Sequence, residues 1–211
     1  AVTLGESVCS PEVQKLVNQI SFSLGRDGLG SIENITFLQA EKLALGLEGV
    51  MLTPSYFVEK LRILKSGEAF DGAGNKHDPA RLRQAYDEIT GRRDFGRGQW
   101  LNHRYTKQGS GLQVTYHKFV NGELKQVTEP LDEDTLMEDR LPGISLDDWI
   151  ENPTSQGLPR KSVKKGILRY YLPTEGEVTV FYNLDDRVCL GYPIISVFLH
   201  PVIGVAIARK K

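Results

Sequence analysis

Cysteine is almost missing from this chain: Cys9 and Cys189 are the only two in 211 residues. They stand near opposite ends and in no CxxC or Cys/His pattern, which argues against a disulfide framework and against a structural zinc site. Their pairing stays open at this stage. An excess of either charge is missing too. Lys and Arg number 26 against 27 Asp and Glu, a formal net charge of -1. No bulk positive field exists to hold nucleic acid or an anionic bilayer, so neither is expected as a partner. The histidines His77, His103, His117 and His200 form no HExxH or HxH, so no metal is expected. Ser10, Ser21, Ser23, Ser31, Ser55 and Ser66 lack a nucleophile elbow. Gly25, Gly28 and Gly30 follow no strand pattern and precede no GK[ST], which leaves a flexible loop rather than a phosphate cradle. Ala1 to Cys9 lacks a basic and an apolar region, so no secretory signal is expected in this chain.

Charge is also missing locally. Between Val188 and Ala208 there is no Asp, Glu, Lys or Arg, and Arg209-Lys210-Lys211 follows. That length with a basic flank suits a membrane span. Gly191, Pro193, Pro201, Gly204 and His200 oppose it, and the Val and Ile content favours strand-turn-strand. A tail anchor over 188–208 remains as an alternative.

What is present reads as one domain over 1–211 of class α+β, with a helical part over 10–91 and a strand-rich part over 110–211. Ser10-Pro11 is a helix start, and Val13, Leu16, Val17 and Ile20 lie on one stripe that Gly25 stops. Thr36 with Gln39 makes a capping box, followed by Phe37, Ala40, Ala44 and Leu47, with Gly49 as the stop. Thr53-Pro54 opens a helix carrying Phe57, Leu61 and Leu64 to Gly67, and Asp78-Pro79 opens another carrying Leu82, Tyr86 and Ile89 to Gly91. Then the period changes to two. Leu112, Val114 and Tyr116 alternate with polar residues, and Asn121-Gly122 is a hairpin turn. Ser145 with Asp148 caps a short helix containing Trp149, and Gly157-Leu158-Pro159 is a loop. Strands are expected at Ile167–Leu172, Val178–Tyr182, Val188–Leu190, Ile194–Leu199 and Ile203–Ala208. The acidic run Asp132, Glu133, Asp134, Glu138 and Asp139 reads as a solvated loop. Trp100, Trp149, Tyr170 and Tyr171 read as core or rim packing.

Residues 177–211 run EVTVFYNLDDRVCLGYPIISVFLHPVIGVAIARKK. Val178-Thr179-Val180-Phe181, Asp186-Arg187-Val188-Cys189-Leu190 and Ile203-Gly204-Val205-Ala206-Ile207-Ala208-Arg209 resemble the closing framework of the variable proteins of diversity-generating retroelements. Leu146-Asp147-Asp148-Trp149 and residues 157–166 resemble the framework that precedes such regions. The resemblance covers roughly 140–211, and the helical part fits the divergent archaeal, AvpA-like type. This chain departs from the pattern in carrying Ile, Val, Phe or Leu at several positions that are polar in templates. Adenine-directed mutation of an AAC codon at its first two bases cannot reach Trp, Met, Gln, Lys or Glu. None of these occurs from Val178 through Arg209, although they make up roughly a fifth of the chain; random placement gives such a gap with odds on the order of one in a thousand.

The resemblance implies a C-type lectin fold, with helices and an antiparallel sheet organising a variable region at about 178–209. It implies a binding protein without catalysis, cofactor or metal, whose partner is a macromolecule, a protein with apolar surface in this copy. The expected solvent-facing set is drawn from Tyr182, Leu184, Cys189, Gly191, Pro193, Ile194, Ile195, Val197, Phe198, Leu199, His200 and Val202. Phe198 and Tyr182 would be the anchors. Asp186, Arg187, Gly204, Val205 and Ile207 would be framework. Display at a cell surface suits such a role. An enzyme of the formylglycine-generating type, which needs a paired cysteine site, is the second alternative.

Overall fold

The computed structural model describes residues 22–24, 30–32, 36–46, 49–69, 75–91, 97–184, 187–191, 203–205 and 207–209. The helix expected after Ser10-Pro11 lies outside them. A small hairpin, β1 (Phe22–Leu24) with β2 (Gly30–Ile32), comes first. Helix α1 (Phe37–Gly46) opens on the expected capping box. Thr36 N donates to Gln39 Oε1 at 2.9 Å, and Gln39 N donates to Thr36 Oγ1 at 3.2 Å. The helix ends at Gly46, and Gly49, expected as its stop, instead begins strand β3 (Gly49–Met51). In α2 (Pro54–Ser66) the Thr53 hydroxyl accepts from Tyr56 N at 3.3 Å, and Gly67 closes the helix at φ 71°. In α3 (Pro79–Thr90) Asp78 accepts from Ala80 N at 3.0 Å. Leu64, Leu82 and Ala85 pack α2 on α3.

The rest of the chain builds one mostly antiparallel, eight-stranded sheet. Its strands are β4 (Arg97–Gln108), β5 (Gly111–Val120), β6 (Glu123–Pro130), β7 (Arg140–Ile144), β8 (Leu168–Tyr170), β9 (Val178–Leu184), β10 (Arg187–Gly191) and β11 (Ile203–Gly204). The order is β6-β5-β4-β9-β10-β8-β7, with β11 beside β4; β10/β8 and β11/β4 are the parallel pairs. Asn121 and Gly122 turn β5 into β6 with φ of 52° and 80°, the two positive values that a type I′ hairpin needs. Both edges carry a proline, Pro130 at the end of β6 and Pro142 within β7, which blunts pairing with another chain.

The large sheet begins at Arg97, not near 110, and β1, β2 and β3 put strands within the part expected to be helical. The sequence RGQWLNHRYTKQ hides β4 because Trp100, Leu101, Asn102 and His103 are buried in succession. The cause is an irregularity in the pairing with β9 between Leu101 and Arg104, where Asn102 N turns to Leu52 O at 2.8 Å.

Both faces of the central strands are covered. On one face Phe181 of β9 meets Phe57, Val58 and Leu61 of α2 and Trp149 and Ile150 of α4 (Leu146–Glu151). Val188 and Leu190 of β10 join this core. On the other, Val178 and Val180 meet Phe37, Ala40, Leu43 and Ala44 of α1, with Met51, Trp100 and Val205. Alternation sends successive residues of one strand into two cores.

The stretch expected as one strand over Ile203–Ala208 is two pieces in different sheets. β11 pairs with β4, and β12 (Ile207–Arg209) pairs with β3. Val205 between them is 2% exposed. Because Arg187–Gly191, Ile203–Gly204 and Ile207–Arg209 are strands, 188–208 is not one spanning helix, which corrects the tail-anchor alternative. Among the described residues no helix is long and apolar enough to cross a membrane.

Candidate functional site

The expected binding set begins on β9 and β10, so their register decides what each side chain does. Tyr182 stands directly opposite Cys189, and Val180 opposite Gly191. Since Val188 and Leu190 enter the first core, Cys189 and Gly191 lie on the other face with Tyr182. That face is not free here. Cys189 is 4% exposed and Gly191 is buried, so the solvent-facing expectation fails for these two. A strand next to the centre of this sheet is covered on both sides.

Tyr182 is half-buried and packs on the second core. Burial first, then its neighbour Cys189, pushes its phenol well above the usual range, so it is a neutral hydroxyl hydrogen-bonded to the thiol. Gly191 sits against two rings. A Cβ there would lie 3.3 Å from Tyr182 Cε1 and 3.6 Å from Tyr171 Cδ2. Leu184 ends β9 opposite Arg187, and only its backbone is described. Pro193, Ile194, Ile195, Val197, Phe198, Leu199, His200 and Val202 lie outside the described residues, as does Asp186. Of the expected framework, Gly204 pairs with Gln99, Ile207 pairs with Met51, and Val205 is buried.

The structure adds residues that sequence reasoning placed elsewhere. Cys189 pairs in parallel with Arg169 of β8, and Tyr171 N donates to Leu190 O at 3.1 Å. Leu168 and Tyr170 enter the first core, so the half-buried Arg169 between them lies on the face of Cys189; the half-buried Tyr171, just past β8, packs against the first core and has its ring near Gly191. Ile167, in the bend just before β8, is 64% exposed, and Leu141 on neighbouring β7 is 63% exposed. The chemistry beside Cys189 and Gly191 is two tyrosines and an arginine, residue types enriched among the hot spots of protein interfaces. The signal was Arg169, a charged residue alternating with Leu168 and Tyr170 in a strand pattern.

Among the described residues no acid–base or nucleophilic arrangement accompanies it. Cys189 is a buried thiol that forms no disulfide among the described residues. His103 is 1% exposed, and burial lowers its pKa to about 3, so it is neutral. Its ring lies 5.2 Å from that of Tyr116, while Tyr105 and Thr179 share a 2.8 Å hydrogen bond beside it. His117 Nδ1 is 3.5 Å from Glu41 Oε1, and Glu41 Oε2 is 2.6 Å from Arg104 Nη2, which ties α1 to the β4–β5 hairpin. The acidic run is structural as well. Asp132 accepts from Asp134 N and from Ser155, Asp134 pairs with Arg160, Glu138 with Arg140, and Asp139 accepts from Leu172 N. Among the described residues no three of His, Cys, Asp and Glu are grouped to hold a metal ion. Compared with family models, curated proteins and solved structures, the chain matches none.

Proposed function

We propose that this chain is a ligand-binding protein with a lectin-like α+β scaffold, whose C-terminal part is diversified and meets a protein ligand of apolar surface. One observation carries the reading. Gly191 pairs with Val180, and Ile203, the next described residue, pairs with Gly98 in the same sheet. Residues 192–202, which hold most of the expected variable positions, are thus bracketed by two strands of one sheet. Beneath those strands lie two separate cores. Two cores built from other strands and helices support a reading in which the bracketed segment accepts change. The half-buried Tyr182, Tyr171 and Arg169 adjoin one end of that segment and supply fixed contacts next to it. The formylglycine-type alternative would need Cys9 paired with Cys189, and Cys9 lies outside the described residues.

Two measurements test this. In the source genome, a near-copy of the codons for 178–209, differing mainly at adenines and lying beside a reverse transcriptase, is expected. Its absence sinks the diversification part. Independently, Ile195→Ser, Phe198→Ser and Leu199→Ser are each expected to change unfolding free energy by no more than about 0.5 kcal/mol, as surface positions do. Losses of about 2–5 kcal/mol at all three, the scale of core truncation, would make them core and remove the binding surface.

A further inference from the structure

A second place in the molecule, sharing no residue with the β9–β10 face, is an open cleft of about 600 Å³ lined by Arg62, Asp148, Glu151, Asn152, Arg160 and Ser162, with Pro153 and Val163. Its guanidiniums are held in place from behind. Arg62 Nε donates to Ile150 O at 2.8 Å and Nη2 to Glu151 O at 3.2 Å, which satisfies carbonyls at the end of α4, and Nη1 donates to Glu59 Oε2 at 3.2 Å, so an anion would share this guanidinium with Glu59. Arg160 Nε donates to Pro153 O at 3.0 Å and Nη1 to Asp134 Oδ2 at 2.8 Å. These bonds leave Nη2 of Arg160 uncommitted among the described residues. The turn carrying it is rigid: Val163 N donates to Arg160 O at 3.0 Å, Lys161 N to Asp134 O at 2.9 Å, and Val163 is anchored at 7% exposure in the first core. Ser162 stands exposed at the tip, and Lys161 and Lys165 flank it with no acidic partner among the described residues.

The carboxylates of the cleft are not equivalent. Asp148 accepts from Lys164 N at 2.7 Å and from Asn152 Nδ2 at 3.3 Å, and Lys164 Nζ lies 3.5 Å away. The backbone bond from Lys164 is the first cause that holds this carboxyl below its usual pKa, so its charge is matched internally. Glu151 has no such partner and opposes an anion from the rim.

We infer that this cleft binds a compact oxyanion, a phosphate or carboxylate group, between Arg160, Arg62 and the Ser162 hydroxyl. A fixed guanidinium edge with free N–H groups beside a hydroxyl matches the planar or tetrahedral oxygens of such a group. Pinning removes much of the ordering cost that exposed arginines otherwise incur. Because the lining is solvated and Glu151 repels, affinity is expected to be modest, Kd on the order of 1 mM, and to weaken with salt.

The test titrates the full chain with inorganic phosphate, tripolyphosphate and acetate, reading the amide resonances of Lys161 and Ser162. Saturable shifts are expected. Ser162→Ala should weaken binding by a few-fold and Arg160→Gln by about tenfold or more, while Glu151→Gln should tighten it about three- to tenfold through removal of one like charge. Ser162→Ala and Glu151→Gln leave the Arg160–Asp134 pair in place, so they remain informative if Arg160→Gln lowers stability. Tripolyphosphate binding far tighter than phosphate points to a polyphosphorylated ligand, and equal binding to a single oxyanion. Shifts that never saturate, or that persist unchanged in Arg160→Gln, overturn the site. So does weaker binding in Glu151→Gln, which would assign that carboxylate to a ligand cation.

Discussion

Two glycines show how differently a single residue is constrained. Gly157 has φ 84°, and a Cβ there would run into the Ser55 backbone N and the Pro54 carbonyl carbon at the start of α2. Its carbonyl also accepts from Trp149 Nε1 at 2.9 Å. Gly157→Ala therefore meets backbone, not a movable side chain, and is expected to lose about 2–4 kcal/mol in urea unfolding. Gly191→Ala would meet a tyrosine ring at 3.3 Å, which needs a shift of a few tenths of an ångström. It is expected to change stability by less than about 1 kcal/mol. If the two variants melt alike, the close packing of the 157 loop on α2 is wrong. The sequence marks both positions as glycine, but the difference between them depends on partners more than a hundred residues away for Gly157 and on neighbouring strands for Gly191.

His103 belongs to the same scale. Its folded pKa lies at about 3, below the ordinary 6.5, because burial disfavours the charged form. Between those values the unfolded chain binds a proton that the folded chain does not. The neutral ring's full contribution is therefore present above pH 6.5 and is lost as the pH falls toward 3, by about 3–5 kcal/mol in all. His103→Gln, with no titrating group there, is expected to show a flatter stability profile from pH 6.5 to 4. An identical acid slope in both proteins would place the titrating histidine elsewhere.

At the scale of elements, legibility followed local chemistry. The starts of α1, α2, α3 and α4 were readable because each is written in a capping residue followed by a short-period apolar pattern, and Thr36, Thr53, Asp78 and Ser145 all make their bonds. The β5–β6 hairpin was readable because Asn121-Gly122 carries its own backbone preference. Strand β4 was not, because consecutive buried residues around an irregular pairing imitate neither period. The split of 203–209 between two sheets was also hidden: pairing with β4 in one case and β3 in the other is settled by partners distant in sequence. The same reason separates Cys189 and Gly191 from the exposed set. Alternation along β10 was legible, but whether its second face is covered depends on which strands stand beside it.

At the scale of the molecule, the α+β character reflects two cores that each draw on distant segments. The first joins α2 to α4, β9 and β10; the second joins α1 and β3 to β9 and Val205. Strand β12 pairs with β3, so the last described residues close a sheet begun at Gly49. Strand β4 lies between β5 and β9, with its partners all later in the chain. A fragment of residues 1–105 would keep α1, α2 and α3 but lose Phe181 and Trp149 from beneath α2, and Val178, Val180 and Val205 from beneath α1. Apolar surface on both helices would then face water, at about 25 cal/mol for each Å² exposed. Digestion with a dilute protease is therefore expected to leave the chain largely whole or degrade it outright, because residues 1–105 keep only the small Leu64–Leu82–Ala85 cluster as their own and both larger cores draw on the two parts. Accumulation of a folded 1–105 fragment, with native-like helical dichroism and a cooperative melt, would mean that the helices possess an independent core and that the sheet is a separate domain.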